Sequence, residues 1–196
     1  DCLFNCTVPS CESLRHSFPE ICRCPAARIS QFYNFPFCDL ISFRDVTSKF
    51  DSGAGIEHAT FDVGPGEFVC IIGPTGAGKT TLLRLIHMDI PPKGGTVIVD
   101  NFSSDKIKRR KIPLLRRKVG MVFQEFELLN DRTVFDNVAI PLHVQGVGMK
   151  VVREEVENVL DRLGIADRRD HLPSQLSGGE QQIVSLARAL VKEPLV

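Results

Sequence analysis

Gly73, Gly76 and Gly78 precede Lys79 and Thr80 in the stretch "GPTGAGKTTLLRL", and these residue types at this spacing suit one task, the holding of a polyphosphate. Glycines let a short loop turn so that successive backbone N–H groups aim into one concavity at the positive start of a helix. In that arrangement Lys79 reaches the β- and γ-phosphates, and the Thr80 hydroxyl coordinates Mg²⁺. The bland alternative is a glycine turn with Lys79 in solvent. The apolar run "FVCII" before the loop and the leucines at helical spacing after it supply the strand-to-helix context that a phosphate loop requires.

A phosphate loop alone leaves GTPases, small-molecule kinases, helicases and transporter ATPases open. Two further motifs narrow the choice. "MVFQ" ends an apolar run with Gln124, a neutral amide able to touch Mg²⁺ or its water, and "LSGGEQQ" spans 176–182 at the start of a helical pattern. Ser177 and Glu180 also satisfy the [ST]xxE capping box, an ordinary helix start. A capping box has no need of Gly178 and Gly179, whose missing side chains let a phosphate from outside approach the helix end.

The elements that must position these groups alternate between strand and helix. "ISFRDV", "IEHATFDV", "GTVIVD" and "VGMVF" have strand character, and "FVCIIG" has that of a buried strand in a parallel sheet. Helices are expected at "KTTLLRLIHM", in two segments after Gln124, and over about 179–192. The second of the middle pair carries Val152, Val156, Val159, Leu160 and Leu163 on one face, with Gly164 as its C-cap. The pattern is α/β with a helical insert. A chain of 196 residues with 43% hydrophobic content can bury a proper core. Lys+Arg and Asp+Glu balance at 24 each, so no global field favours nucleic acid and any anion site is built locally. The basic arm "KIKRRKIPLLRRK" is interrupted by apolar residues, lacks interleaved aromatics, and reads as a solvated face. His87, His143 and His171 have no metal-ligand spacing.

Six of the seven cysteines precede residue 39. Their CxxxC and CxC spacings do not match paired zinc-ligand motifs and the total is odd, so residues 1–39 are expected to be a cysteine-rich leader, disordered or non-native. A metal-binding or redox adaptor remains the competing reading of that segment. The domain proper is expected over residues 40–196.

With the phosphate loop, the glutamine and "LSGGEQQ" in this order, the chain resembles the nucleotide-binding domain of ATP-binding-cassette (ABC) transporters over residues 40–196. The resemblance implies a P-loop NTPase fold of the α/β class: a RecA-like core, an antiparallel β-subdomain and a helical subdomain carrying the signature. It implies a head-to-tail homodimer with two ATP molecules sandwiched between P-loop and signature. Gly73, Pro74, Thr75, Gly76, Ala77, Gly78, Lys79, Thr80 and Thr81 would bind ATP. Ser177, Gly178 and Gly179 would receive the γ-phosphate of the opposite subunit's nucleotide. Lys79 and Gln124 would serve catalysis, Thr80 and Gln124 would hold Mg²⁺, and Phe50 would stack on adenine. Within the family, "LLRRKVGMVFQ" followed by "LLNDRTVFDNVAIPL" is most similar to cell-division ATP-binding subunits, which act with an integral membrane subunit at the cytoplasmic face of the bacterial inner membrane. ATPases of importers or of lipoprotein-releasing exporters are the runner-up.

Two departures from the family pattern stand out. Ile183 follows "LSGGEQQ" where family members usually have arginine. The aspartate that holds Mg²⁺, the glutamate that polarises water and the switch histidine of the family lie beyond Val196, so the chain reads as a C-terminally truncated fragment, and Glu193 is not placed to replace them. A nucleotide-binding module that hydrolyses ATP poorly or not at all is therefore the expectation for these residues.

Overall fold

The computed structural model describes the backbone of residues 20–24 and the whole of residues 39–49 and 55–196. Most of the cysteine-rich leader and Phe50 lie outside the described residues.

Strands β2 (Ile41–Lys49) and β3 (Gly55–Val63) form an antiparallel hairpin, and β5 (Gly94–Val99) and β6 (Phe102–Ser103) extend it in the order β3-β2-β5-β6. The pairing of β2 with β3 carries register shifts between Phe43 and Val46 and between Val46 and Ser48. A bulge of this kind resets which face the next side chain meets, so Phe43 and Val46 are both fully buried. Helix α1 (Lys79–Ile86) lies on this sheet, contributing Leu82 and Leu85 to a core with Ile41, Phe43, Val46, Ile56, Val97 and Val99. Phe43 and Phe61 stack with ring centroids 4.5 Å apart.

A second core is wholly helical. Helices α3 (Val134–Val144), α4 (Met149–Arg162) and α5 (Gly178–Leu190) bury Val138, Leu142, Val152, Val156, Leu160, Val184 and Ala187 against one another. The expected apolar face of α4 is present, with Leu163 packed at its edge, and Gly164 follows the helix at φ 68°. Ile183 is partly buried against this same core, so the position that departs from the family pattern serves packing here. The basic arm becomes a 3₁₀ turn, Arg109–Lys111, leading into α2 (Ile112–Lys118).

Two expectations are corrected. Strand β4 (Phe68–Ile72) is not a buried parallel strand: it pairs antiparallel with β1 (Glu20–Cys24) in the register Glu20↔Ile72 and Cys24↔Phe68, and Phe68 is 67% exposed. Burial on both faces needs layers on both sides, and no described strand flanks β4 on its other edge. "VGMVF" is not a regular strand either, although Val196 N–H donates to Lys118 O (3.2 Å) and Gly120 N–H to Val196 O (2.7 Å). Those two bonds are the slanted pair of a parallel ladder, one rung long.

Candidate functional site

The loop 73–78 leaves β4 and opens α1 with its glycines in backbone conformations that L side chains rarely adopt: φ is 154° at Gly73, 86° at Gly76 and 91° at Gly78. Ala77 N–H closes the loop onto Pro74 O at 3.2 Å. The backbone amides of Gly76, Gly78, Lys79 and Thr80 have no protein acceptor among the described residues. They sit at the amino end of α1, where the helix dipole adds positive potential. Lys79 folds back across the loop and donates from Nζ to the carbonyls of Gly73 (2.7 Å) and Pro74 (2.9 Å). An ammonium held only by two neutral, exposed carbonyls exchanges them readily for a phosphate oxygen, because bonds between ionised partners are roughly twice as strong.

The two inner glycines do different work. A Cβ at Gly76 would meet nothing within 4 Å, so this side of the loop is open to a ligand. A Cβ at Gly78 would lie 2.6 Å from Gly55 O and 2.7 Å from Ile56 Cγ2. Gly78 therefore serves the close approach of the loop to the start of β3, which the sequence reading did not foresee. Gly55 in turn pairs with Lys49 across the hairpin. Thr80 is exposed on the first turn of α1, whereas Thr81 is 7% exposed and turned into the core, so its side chain belongs to the packing.

Gln124 is exposed in a turn closed by Phe126 N–H donating to Phe123 O at 3.2 Å, and its amide has no side-chain partner among the described residues. The turn ends in two residues at positive φ, Phe126 (56°) and Glu127 (47°). Arg188 of α5 donates to both of their carbonyls at 2.6 Å, and Ser185 Oγ donates to Phe126 O at 3.3 Å. Lys192 donates to Arg116 O (2.6 Å) and Val119 O (2.8 Å), tying the end of the same helical segment to α2.

At the other end of α5, Ser177 is the N-cap. Its Oγ accepts from Glu180 N–H (3.3 Å) and donates to Glu180 Oε2 (2.7 Å), while Ser177 N–H donates to that same oxygen (2.8 Å). Arg168 adds an ion pair to Glu180 at 3.0 Å. The bonds from the Ser177 hydroxyl and amide, joined by Arg168, hold the Glu180 carboxyl down to about 2. The capping box and the signature are thus one structure. Gly178 and Gly179 are exposed, a Cβ on either would meet nothing within 4 Å, and their amides have no acceptor among the described residues. A second open set of N–H groups therefore waits at a helix start. Arg188 and Arg168 escaped the sequence reading because nothing in local spacing reveals which distant carbonyl or carboxylate an arginine meets.

Splayed amides at the mouth of α1, a lysine folded over them and an antiparallel sheet beside a helical subdomain define a P-loop NTPase. Residues 56–196 match the family model described as ABC transporter, and the chain belongs to that family of ATP-binding, ATP-hydrolysing subunits. It is 42% identical over 158 residues to the cell division ATP-binding protein FtsE of Escherichia coli, covering 80% of this chain and 71% of that one. It is also 37% identical over 161 residues to the methionine import ATP-binding protein MetN of Haemophilus influenzae, covering 80% of this chain and 47% of MetN. Among solved structures, the dimeric MJ0796, a bacterial ABC transporter cassette, matches with a TM-score of 0.72 and 32% identity over 79% of this chain and 70% of that one.

Proposed function

We propose that this chain is the ATP-binding subunit of an FtsE-like complex that acts with the membrane protein FtsX in bacterial cell division. The observation that carries nucleotide binding is the set of amides at Gly76, Gly78, Lys79 and Thr80 that lack an acceptor among the described residues, under a lysine held there by two carbonyls. The side of the loop at Gly76 is open, and the exposed Thr80 hydroxyl and Gln124 amide are oxygen donors of the kind that Mg²⁺ takes. Bound magnesium would neutralise charge on the β- and γ-phosphates. Lys79 would grip the same oxygens.

Ser177, Gly178 and Gly179 serve a second copy of the chain. The open amides of Gly178 and Gly179, beside the Ser177 cap, receive the γ-phosphate of the partner's ATP in a head-to-tail homodimer, a reading supported by the dimeric state of the MJ0796 cassette. The carboxylate between α5 and Val196 is Glu193, which is exposed at φ 47°, and we assign it neither metal nor water. Phosphoryl transfer rests on positioning and charge stabilisation, which is the work assigned here to the loop amides, Lys79 and the Mg²⁺ donors.

No helix among the described residues is long and apolar enough to cross a membrane. In this reading, association with the cytoplasmic face of the inner membrane runs through the partner subunit. Sequence similarity to FtsE favours FtsX, and similarity to MetN keeps an importer ATPase as the second reading. Co-purification from detergent extracts tests the choice: capture of FtsX, and not of the methionine importer's membrane subunit, is expected, and the reverse overturns it.

A further inference from the structure

Gln124 has no side-chain partner among the described residues, yet the turn that carries it is gripped from α5. Phe126 and Glu127 both occupy the left-handed region that residues with side chains rarely adopt, so the turn needs support from outside. The support is a planar fork: the two terminal nitrogens of Arg188 each reach one of two successive carbonyls at 2.6 Å, and Ser185 Oγ adds a third bond. Only a guanidinium presents two parallel donors in this fixed geometry. The far side of the loop is held separately by Asn137, whose side chain bonds Leu129, Arg132 and Thr133. Arg188 thus governs the glutamine end of the loop, and Asn137 the α3 end. Ser177 begins the same α5 helix, about 16 Å from Arg188 at 1.5 Å per residue.

We propose that Arg188 is the positioning residue of Gln124, holding its turn so that the amide faces the nucleotide's metal and tying that pose to the signature helix. The proposal rests on the assignment of Gln124 to Mg²⁺. Because α5 is a rigid rod between Ser177 and Arg188, a tilt of its signature end reaches the turn through the fork.

Affinity for a fluorescent ATP analogue, measured on the full chain with Mg²⁺ and again with EDTA, tests it. Arg188→Ala is expected to leave the EDTA affinity within about twofold, since Lys79 and the loop amides are untouched, and to remove most of the magnesium-dependent gain, about tenfold. Gln124→Ala should show the same loss, and the double variant no more than either single one. Arg188→Lys keeps the charge and stem but not the fork, and is expected to stay folded while recovering less than half of the gain. Asn137→Ala, which loosens the other end of the loop, should keep the gain. An intact magnesium effect in both Arg188 variants, with loss in Gln124→Ala, overturns the proposal alone. An intact effect in Gln124→Ala overturns the glutamine assignment and the proposal with it. If Arg188→Ala is unfolded, Arg188→Lys decides.

Discussion

Gly76 and Gly78 belong to one loop and have nearly the same backbone angle, 86° and 91°, so a rule about glycine flexibility predicts equal damage from alanine at either place. Their surroundings predict otherwise. Alanine in the left-handed region costs about 1–2 kcal/mol at both positions. At Gly76 the new methyl meets nothing within 4 Å, and that cost is the whole cost to folding. At Gly78 it would lie 2.6 Å from a carbonyl of β3 and 2.7 Å from Ile56. Backbone cannot swing aside as a flexible side chain can, and overpacking adds about 1–3 kcal/mol. Gly76→Ala should therefore lose about 1–2 kcal/mol, and Gly78→Ala about 2–5 kcal/mol once overpacking is included. Urea denaturation followed by circular dichroism gives the stabilities, and titration with a fluorescent ATP analogue gives binding. Gly76→Ala should fold yet bind ATP about tenfold more weakly, since its methyl stands where the phosphates approach. Equal stability losses in the two variants would refute the assignment of Gly78 to packing and Gly76 to ligand access.

Asn137 is fully buried and its side chain makes four hydrogen bonds, so Asn137→Ala should cost about 2–4 kcal/mol in the same urea assay through buried groups left unpaired. Asn137→Asp should be worse at neutral pH, because a carboxylate would face three carbonyls, and should recover on acidification as it protonates. The Glu180 carboxyl is held at about 2 against an ordinary 4.5, so its contribution is fully present above 4.5 and lost as pH falls from there through about 2. The stability difference between wild type and Glu180→Gln should accordingly be constant from pH 5 to neutrality and close toward pH 2, read by parallel denaturation series. Gly179→Val should alter folding little, since a Cβ there meets open space, but should abolish ATP-dependent dimers in size-exclusion chromatography.

Where local chemistry alone decides the structure, the sequence was enough. The Ser177 and Glu180 spacing announced the N-cap of α5, the glycines around Lys79 announced the loop, and the repeat of Val152, Val156 and Leu160 announced the buried face of α4. What stayed hidden depends on partners far along the chain. An apolar run such as "FVCII" does not say whether its edges will be covered, and β4 meets β1 on one edge with Phe68 left in solvent. Adjacent threonines look alike in sequence, but the phase of α1 exposes Thr80 and buries Thr81. Arg188 sits on a helix flank like any solvated arginine, and its two carbonyl partners lie some sixty residues earlier. The close approach of Gly78 to β3 stayed hidden because nothing near it in sequence mentions β3.

Calorimetric titration of this chain and of Lys79→Ala with ATP and with AMP tests the central claim, that the loop amides and one ammonium grip a triphosphate. The account predicts binding of ATP by the wild type, negligible binding of AMP, and loss of the ATP signal in the variant. Equal affinity for ATP and AMP, or an unchanged ATP affinity without the lysine, would contradict it.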